Sequence, residues 1–144
     1  MLNQPKSIYL NYFNQSSFDI ILNFDGDSCC FIIYEFGKDL KKVNCTLEKR
    51  GENTLAAVFI SKDKIAALDM NREVSVCNLD GSNIKKVLIN KKGLTRVEMI
   101  YPAPLGKLLI HADDCLFLYD LAARKVLYEL PLPEATTIKQ VHWN

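Results

Sequence analysis

A chain of 144 residues, 49% hydrophobic and 24% charged, has the composition of an ordinary globular protein. With 18 basic against 17 acidic residues it has no broad field to draw it to nucleic acid or to an anionic bilayer by charge alone. No apolar run approaches the about 20 residues that span a bilayer, and the opening Met1-Leu2-Asn3-Gln4-Pro5-Lys6-Ser7 lacks the apolar region of a signal peptide, so a cytosolic chain is expected.

Period-two alternation predicts short strands along almost the whole chain. The first group covers residues 7–13, 18–24 and 29–36, with Asp25-Gly26-Asp27-Ser28 as a tight turn between the second and third. Residues 37–54 are polar and alternate poorly; they read as one weak strand near Val43 and a loop holding Lys49, Arg50, Gly51 and Glu52. A second group follows at 56–60, 64–68, 73–78 and 84–89, broken at 61–63, at 69–72 and at Asp80-Gly81-Ser82. The third group is 97–101, 107–111, 115–119 and 125–130, broken at Pro102-Ala103-Pro104-Leu105-Gly106, at Asp113-Asp114 and at 120–124. Residues 138–143 would open a fourth group that the sequence does not complete.

These groups repeat. Ala57-Val58-Phe59-Ile60-Ser61 overlays Glu98-Met99-Ile100-Tyr101-Pro102 at an offset of 41 residues, and that segment overlays Gln140-Val141-His142-Trp143-Asn144 at 42. A period of about 40–45 residues is one propeller blade of four antiparallel strands. The expected fold is therefore all-β, a WD40-like β-propeller arc of about three four-stranded blades plus the first strand of a fourth. It reads as a single partial propeller over residues 1–144, with blades at 7–54, 55–95 and 96–137 and a remnant at 138–144. Functional residues would then sit on the loops between blades and not inside strands. Propellers remove most exposed sheet edges by closing about 4–8 blades into a ring, so an open arc implies a longer polypeptide or two copies that complete each other. The isolated chain is expected to self-associate or to bind a hydrophobic dye.

Residue chemistry supplies no catalytic set. His111 with Asp113 and Asp114 has the composition of a metal cluster, but alternation places it at a strand end running into a hairpin, with solvated carboxylates. Asp25 and Asp27 lack the later ligands of a calcium loop, and Gly106-Lys107 lacks the upstream glycine and the following Ser or Thr of a phosphate-binding loop. The two histidines, His111 and His142, sit in similar strand contexts and flank no nucleophile. The five cysteines, Cys29, Cys30, Cys45, Cys77 and Cys115, are odd in number and contain no C-x-x-C pair, so they read as small packed side chains in a reducing compartment. Lys41-Lys42, Lys85-Lys86 and Lys91-Lys92 read as solvated turns and edge protection, with a lipid headgroup or an acidic partner as the alternative. Phe13, Phe18, Phe24, Phe31, Phe36, Phe59 and Phe117, the tyrosines and Trp143 are expected in the core; a base-stacking surface would need interleaved arginines, and there are only four.

Residues 57–69, Ala-Val-Phe-Ile-Ser-Lys-Asp-Lys-Ile-Ala-Ala-Leu-Asp, resemble a stretch of the second WD40-type propeller of the coatomer (COPI coat) alpha-subunit family. The likeness continues in order through Val74 and Asn78-Leu79, Lys85-Lys86, Ile100-Tyr101, Gly106, Leu108-Leu109, Leu118-Tyr119-Asp120-Leu121, Lys125-Val126-Leu127 and Val141-His142-Trp143. It covers residues 55–144 and, more loosely, 7–36. Lys62-Asp63-Lys64 and Leu121-Ala122-Ala123-Arg124 depart from turns richer in arginine and in glutamine. The resemblance implies a non-enzymatic scaffold segment of a vesicle coat in Golgi-to-endoplasmic-reticulum and intra-Golgi transport, cytoplasmic and peripheral on Golgi and coat-vesicle membranes. It implies other coatomer subunits, beta-prime and epsilon, as partners through the parent protein, and no nucleic acid. It brings no catalytic, cofactor-binding, metal or cargo-binding residue onto any position, so binding residues stay unassigned and no cofactor is expected. A propeller-type interaction module of another assembly, including the related beta-prime subunit, is the alternative.

Overall fold

The computed structural model describes residues 7–13, 18–23, 31–36, 41–43, 54–69, 71–87, 89, 96–133, 138 and 141. Among these described residues the alternating segments become twelve strands: β1 (Ser7–Leu10), β2 (Phe18–Asn23), β3 (Phe31–Phe36), β4 (Lys41–Val43), β5 (Thr54–Phe59), β6 (Lys64–Asp69), β7 (Val74–Asn78), β8 (Lys85–Val87), β9 (Val97–Pro102), β10 (Lys107–Ala112), β11 (Cys115–Asp120) and β12 (Lys125–Pro131). Within each run of four, every strand pairs antiparallel with the next, giving three separate four-stranded meanders, β1 to β4, β5 to β8 and β9 to β12. The protein is thus all-β, and no sheet closes on itself among the described residues. No described helix is long and apolar enough to cross a membrane.

The sequence expectations hold for strand order and type, with adjustments at the ends. β1 stops at Leu10 instead of running to residue 13, and Asn11 begins the turn. The weak strand near Val43 is β4, only three residues long. The turn at 25–28 and the loop at 49–52 lie outside the described residues, as do Cys29, Cys30 and Cys45. Of residues 138–143 only Ile138 and Val141 are described, and neither is in a strand.

The register of the pairs sharpens the repeat. Phe59 faces Ile65 across the β5–β6 hairpin as Pro102 faces Leu108 across β9–β10, so equivalent residues in the second and third sheets lie 43 apart. The sequence overlay is two residues shorter. Because side chains alternate with a period of two, a shift of two leaves every residue on the same face.

Burial separates the sheets by their place in the stack. In β6, Ile65, Ala66, Ala67 and Leu68 are all buried, so this strand is covered on both faces. In β10 burial alternates strictly, so the third sheet is covered on one face. Two cores account for the difference. Ala57, Phe59, Ile65, Ala67 and Cys77 of the second sheet pack with Ile21 and Ile33 of the first. Its opposite face, including Ala56, Val58, Ala66 and Leu68, packs with Val97, Ile100, Leu108, Ile110, Phe117 and Tyr119 of the third. The second sheet is therefore the middle layer.

The layers approach one another most closely around β5. Close backbone approach between sheets involves β1, β2 and β3 against β5, and β5 and β6 against β9. Flat sheets packed face to face stand about 10 Å apart, so the outer two of three layers would be well separated. Tyr9 of the first sheet nevertheless packs against both cores, and it helps to raise the pKa of Tyr101 in β9 above the ordinary phenol value, after burial as the larger cause. The second and third sheets meet at their first strands, β5 and β9, whereas the first sheet meets β5 chiefly through β2. Alanine at 56, 57, 66 and 67, on both faces of β5 and β6, leaves room for that approach.

Widening those alanines should prise the layers apart. Ala57→Leu and Ala66→Leu, both at fully buried sites, are each expected to lower stability by about 1–3 kcal/mol, the usual cost of overpacking. A substitution at exposed Lys64 should stay within about 0.5 kcal/mol. Urea unfolding of the three variants measures this, and equal midpoints would contradict the packing described.

Candidate interaction surface

Two sets of turns frame the stack. Asn11, after β1, donates from Nδ2 to the Lys62 carbonyl in the β5–β6 turn at 3.0 Å, so these turns share one end. Leu79, after β7, donates its N–H to the Asp63 carbonyl, and Leu121, after β11, donates to the Gly106 carbonyl. At the opposite end Arg72, in the β6–β7 turn, donates to the carbonyls of Val97 and Glu98 at the start of β9. The far end of β9, with the turn around Leu105, therefore lies on the same side as Asn11.

That first end is built on tightly held backbone. Asn11 is 2% exposed, and its Oδ1 also accepts from the Phe13 N–H at 3.2 Å. A buried amide left without partners is costly, so Asn11 fixes Tyr12 and Phe13 on the first sheet and joins that sheet to the second. Asp80 Oδ1 accepts from the Ser82 N–H at 2.9 Å and Oγ at 2.6 Å, with Gly81 at φ 82°, as the Asp-Gly-Ser turn predicted. Asp120 Oδ1 accepts from the N–H groups of Ala122 and Ala123, both at 3.0 Å. These bonds, led by that of Ala123, hold its carboxyl below the ordinary range; Lys107 and Lys125 add to the effect and partial desolvation opposes it.

Tyr12 and Leu105 rise from this end at 81% and 85% exposure. Leu105 has φ 59°, a left-handed conformation uncommon for a side chain of its size, and Gly106 follows at φ 71°. Phe13 is also exposed, and so is Tyr128 on β12. These side chains depart from the expectation that the aromatics fill the core. Phe59, Phe117 and Tyr119 meet it. Burial raises the pKa of Tyr119. Nothing in the alternation marks Tyr12 as exposed, because the first strand ends earlier than its apolar run.

The opposite end holds charge, and much of it is engaged. Arg72 approaches the Glu98 carboxylate at 3.9 Å and Arg96 approaches it at 3.0 Å. Asp113 Oδ1 accepts from the Arg96 N–H at 3.0 Å, and the Asp113 N–H donates to the Arg96 carbonyl at 3.0 Å. Asp113 therefore laces the β10–β11 turn to the start of β9. His111 is half-buried in β10, and Asp114 is exposed. Among the described residues no three His, Cys, Asp or Glu side chains are grouped as a metal would need. Lys107 leans on the Leu105 carbonyl at 3.1 Å and on Asp120 at 3.9 Å. In the 85–86 doublet, Lys86 pairs with Glu73 at 2.7 Å, a surface pair worth at most about 1 kcal/mol. Cys77 is a buried free thiol and Cys115 a half-buried one. Asp25, Asp27, Lys91, Lys92, His142 and Trp143 lie outside the described residues.

No protein-family model matches the chain. It is 27% identical to coatomer subunit alpha of Dictyostelium discoideum over 134 residues, which are 92% of this chain and 10% of that protein. It is 27% identical to coatomer subunit alpha-3 of Oryza sativa subsp. japonica over 152 aligned positions, 99% of this chain and 12% of that protein. Coatomer subunit alpha-2 of the same organism is 32% identical over 90 residues, 62% of this chain and 7% of that protein. These matches are distant homology to coatomer alpha subunits. They support a coatomer-family assignment in general, and the chain spans about a tenth of the length of these relatives.

Two substitutions test how the first end is held. Asn11→Ala strips partners from the Lys62 carbonyl and the Phe13 N–H and should cost about 1–3 kcal/mol, read by urea unfolding together with faster amide exchange in residues 11–13. Asp120 has a lowered folded pKa, so its contribution is present above the unfolded value of about 3.9 and is lost as pH falls through and below it. Thermal melts between pH 7 and pH 3 should show a smaller acid loss in Asp120→Asn, which keeps the accepting oxygen and removes the titration.

Proposed function

We propose that the chain is a non-enzymatic scaffold segment of a vesicle coat subunit of the coatomer alpha type. The observation that carries this reading is the stack of three four-stranded meanders, whose apolar residues serve packing and leave the turns as the places where a partner can be met. Distant homology to coatomer alpha subunits supports it from a separate direction. The described residues contribute no convergent acid, base or metal set, and Asp113, the most suggestive carboxylate, is tied to the Arg96 backbone.

The finer reading follows. The three meanders are blades of a WD40-type propeller, covering residues 7–54, 55–95 and 96–137, and they correspond to part of the second propeller of the alpha subunit. The close approach of β5 and β9, the first strands of the second and third sheets, supports this reading, since each propeller blade is a sector and not a flat layer. The protein then works on the cytoplasmic side of Golgi and vesicle membranes, held there through the coat, in transport between Golgi and endoplasmic reticulum and within the Golgi. Other coatomer subunits, beta-prime and epsilon among them, are the partners.

Affinity capture from cells carrying a tag on the endogenous gene tests the assignment. Coatomer subunits identified by mass spectrometry are the expected result, with recovery reduced at least about tenfold, or about 1.4 kcal/mol of association, when residues 54–133 are deleted. Capture that contains no coatomer subunit overturns the coat assignment.

A further inference from the structure

Among the described residues, the near-neutral charge of the chain is divided between the two ends of the stack. At the end that carries Tyr12 and Leu105, the cations Lys62, Lys64, Lys107, Arg124 and Lys125 outnumber Asp63, Asp80 and Asp120. At the opposite end carboxylates outnumber cations, with Asp69, Glu73, Glu98, Asp113 and Asp114 against Arg72, Lys86 and Arg96. The carboxylates of the first end are also turned to local donors. Asp63 Oδ1 accepts from the Ser61 hydroxyl at 2.9 Å, Asp80 from the Ser82 N–H, and Asp120 from the N–H groups of Ala122 and Ala123. Lys62, Lys64, Arg124 and Lys125 are exposed. A positive field that the composition lacks is therefore present on this one end.

The apolar side chains at this end stand beside those cations. The Asn11 bond to the Lys62 carbonyl sets Tyr12 and Phe13 next to the β5–β6 turn. Lys107 Nζ donates to the Leu105 carbonyl at 3.1 Å, and the Leu121 N–H bond to the Gly106 carbonyl brings the β11–β12 turn, with Arg124, alongside. Tyr12 and Leu105, each more than four-fifths exposed, are too open to line a groove. Leu105 also holds its left-handed φ, a costly conformation for leucine, with little packing from the chain in return. Backbone outliers of this sort concentrate where a partner is met.

We infer that this end docks directly on an anionic bilayer surface, with Tyr12 and Leu105 entering the headgroup region and the cations beside them lying over anionic headgroups. A protein pocket encloses its anchor, whereas a bilayer receives side chains that protrude singly from neighbouring turns. Tyrosine settles at the level of the headgroups, leucine reaches the acyl boundary, and adjacent lysine and arginine gain from the negative surface potential. Turn tips are also the part of the stack that further sheets leave open. Sheets added before the first or after the third cover faces, not strand ends. The inference rests on the geometry of this end and stands or falls apart from the coat assignment, which capture of coatomer subunits tests.

Flotation of the protein, purified through a tag on its own gene, with vesicles of phosphatidylcholine and phosphatidylserine tests it. Binding should fall at least about tenfold on vesicles of phosphatidylcholine alone. Leu105→Asn removes the apolar tip at a left-handed position that asparagine tolerates, so it should keep the wild-type urea midpoint and bind about fivefold less tightly. Lys62→Glu should lower binding about tenfold. Lys86→Glu makes the same change of charge at the opposite end, a strand's length away and screened by salt, and should leave binding within about twofold. Equal binding to both kinds of vesicle overturns the inference, as do equal losses from Lys62→Glu and Lys86→Glu, or undiminished binding by Leu105→Asn. Protein that ignores the vesicles overturns it too, whether or not a glutamate-rich peptide then binds at this end.

Discussion

Burial of the second sheet on both faces is the constraint on which the rest depends. A sheet covered on one side can alternate apolar with polar residues, but one covered on both sides must be apolar at every step. β6 meets that demand with Ile65, Ala66, Ala67 and Leu68, and β5 meets it with Ala56, Ala57, Val58 and Phe59. The choice of alanine at four of these positions matters as much as hydrophobicity. Larger side chains would hold the neighbouring sheets at ordinary stacking distance, and the approach of β5 to its neighbours on either side would be lost.

Polar groups then fix what the apolar layers leave free. Apolar packing is non-directional, so sheets could slide over one another at little cost. Asn11 pins the first sheet to the second through the Lys62 carbonyl, and Arg72 pins the second to the third through the carbonyls of Val97 and Glu98. The two ties lie at opposite ends of the stack. Each uses a long-range side-chain bond to a backbone acceptor in a neighbouring sheet's turn or strand start, where strand pairing leaves a carbonyl available.

The aspartates of the described turns serve the backbone. Asp69, Asp80, Asp113 and Asp120 each accept from backbone N–H groups in the turns. Carboxylates committed in this way shape the loops.

Strand order, hairpin positions and the roughly forty-residue repeat were legible in the sequence, because alternation and turn residues are local signals. So was the buried fate of Phe59 and Phe117. The exact offset between sheets was not, since a shift of two residues preserves every apolar match and only hydrogen-bond pairing distinguishes it. Nor was the role of Asn11, whose partner Lys62 is 51 residues away, or the exposure of Tyr12 and Tyr128, which sit in apolar runs resembling those that are covered. The sequence by itself determined which residues form strands and that the strands recur in groups of four. Tertiary structure decided which sheet lies in the middle, because the cover of a sheet face comes from residues far along the chain, and local periodicity carries no record of them.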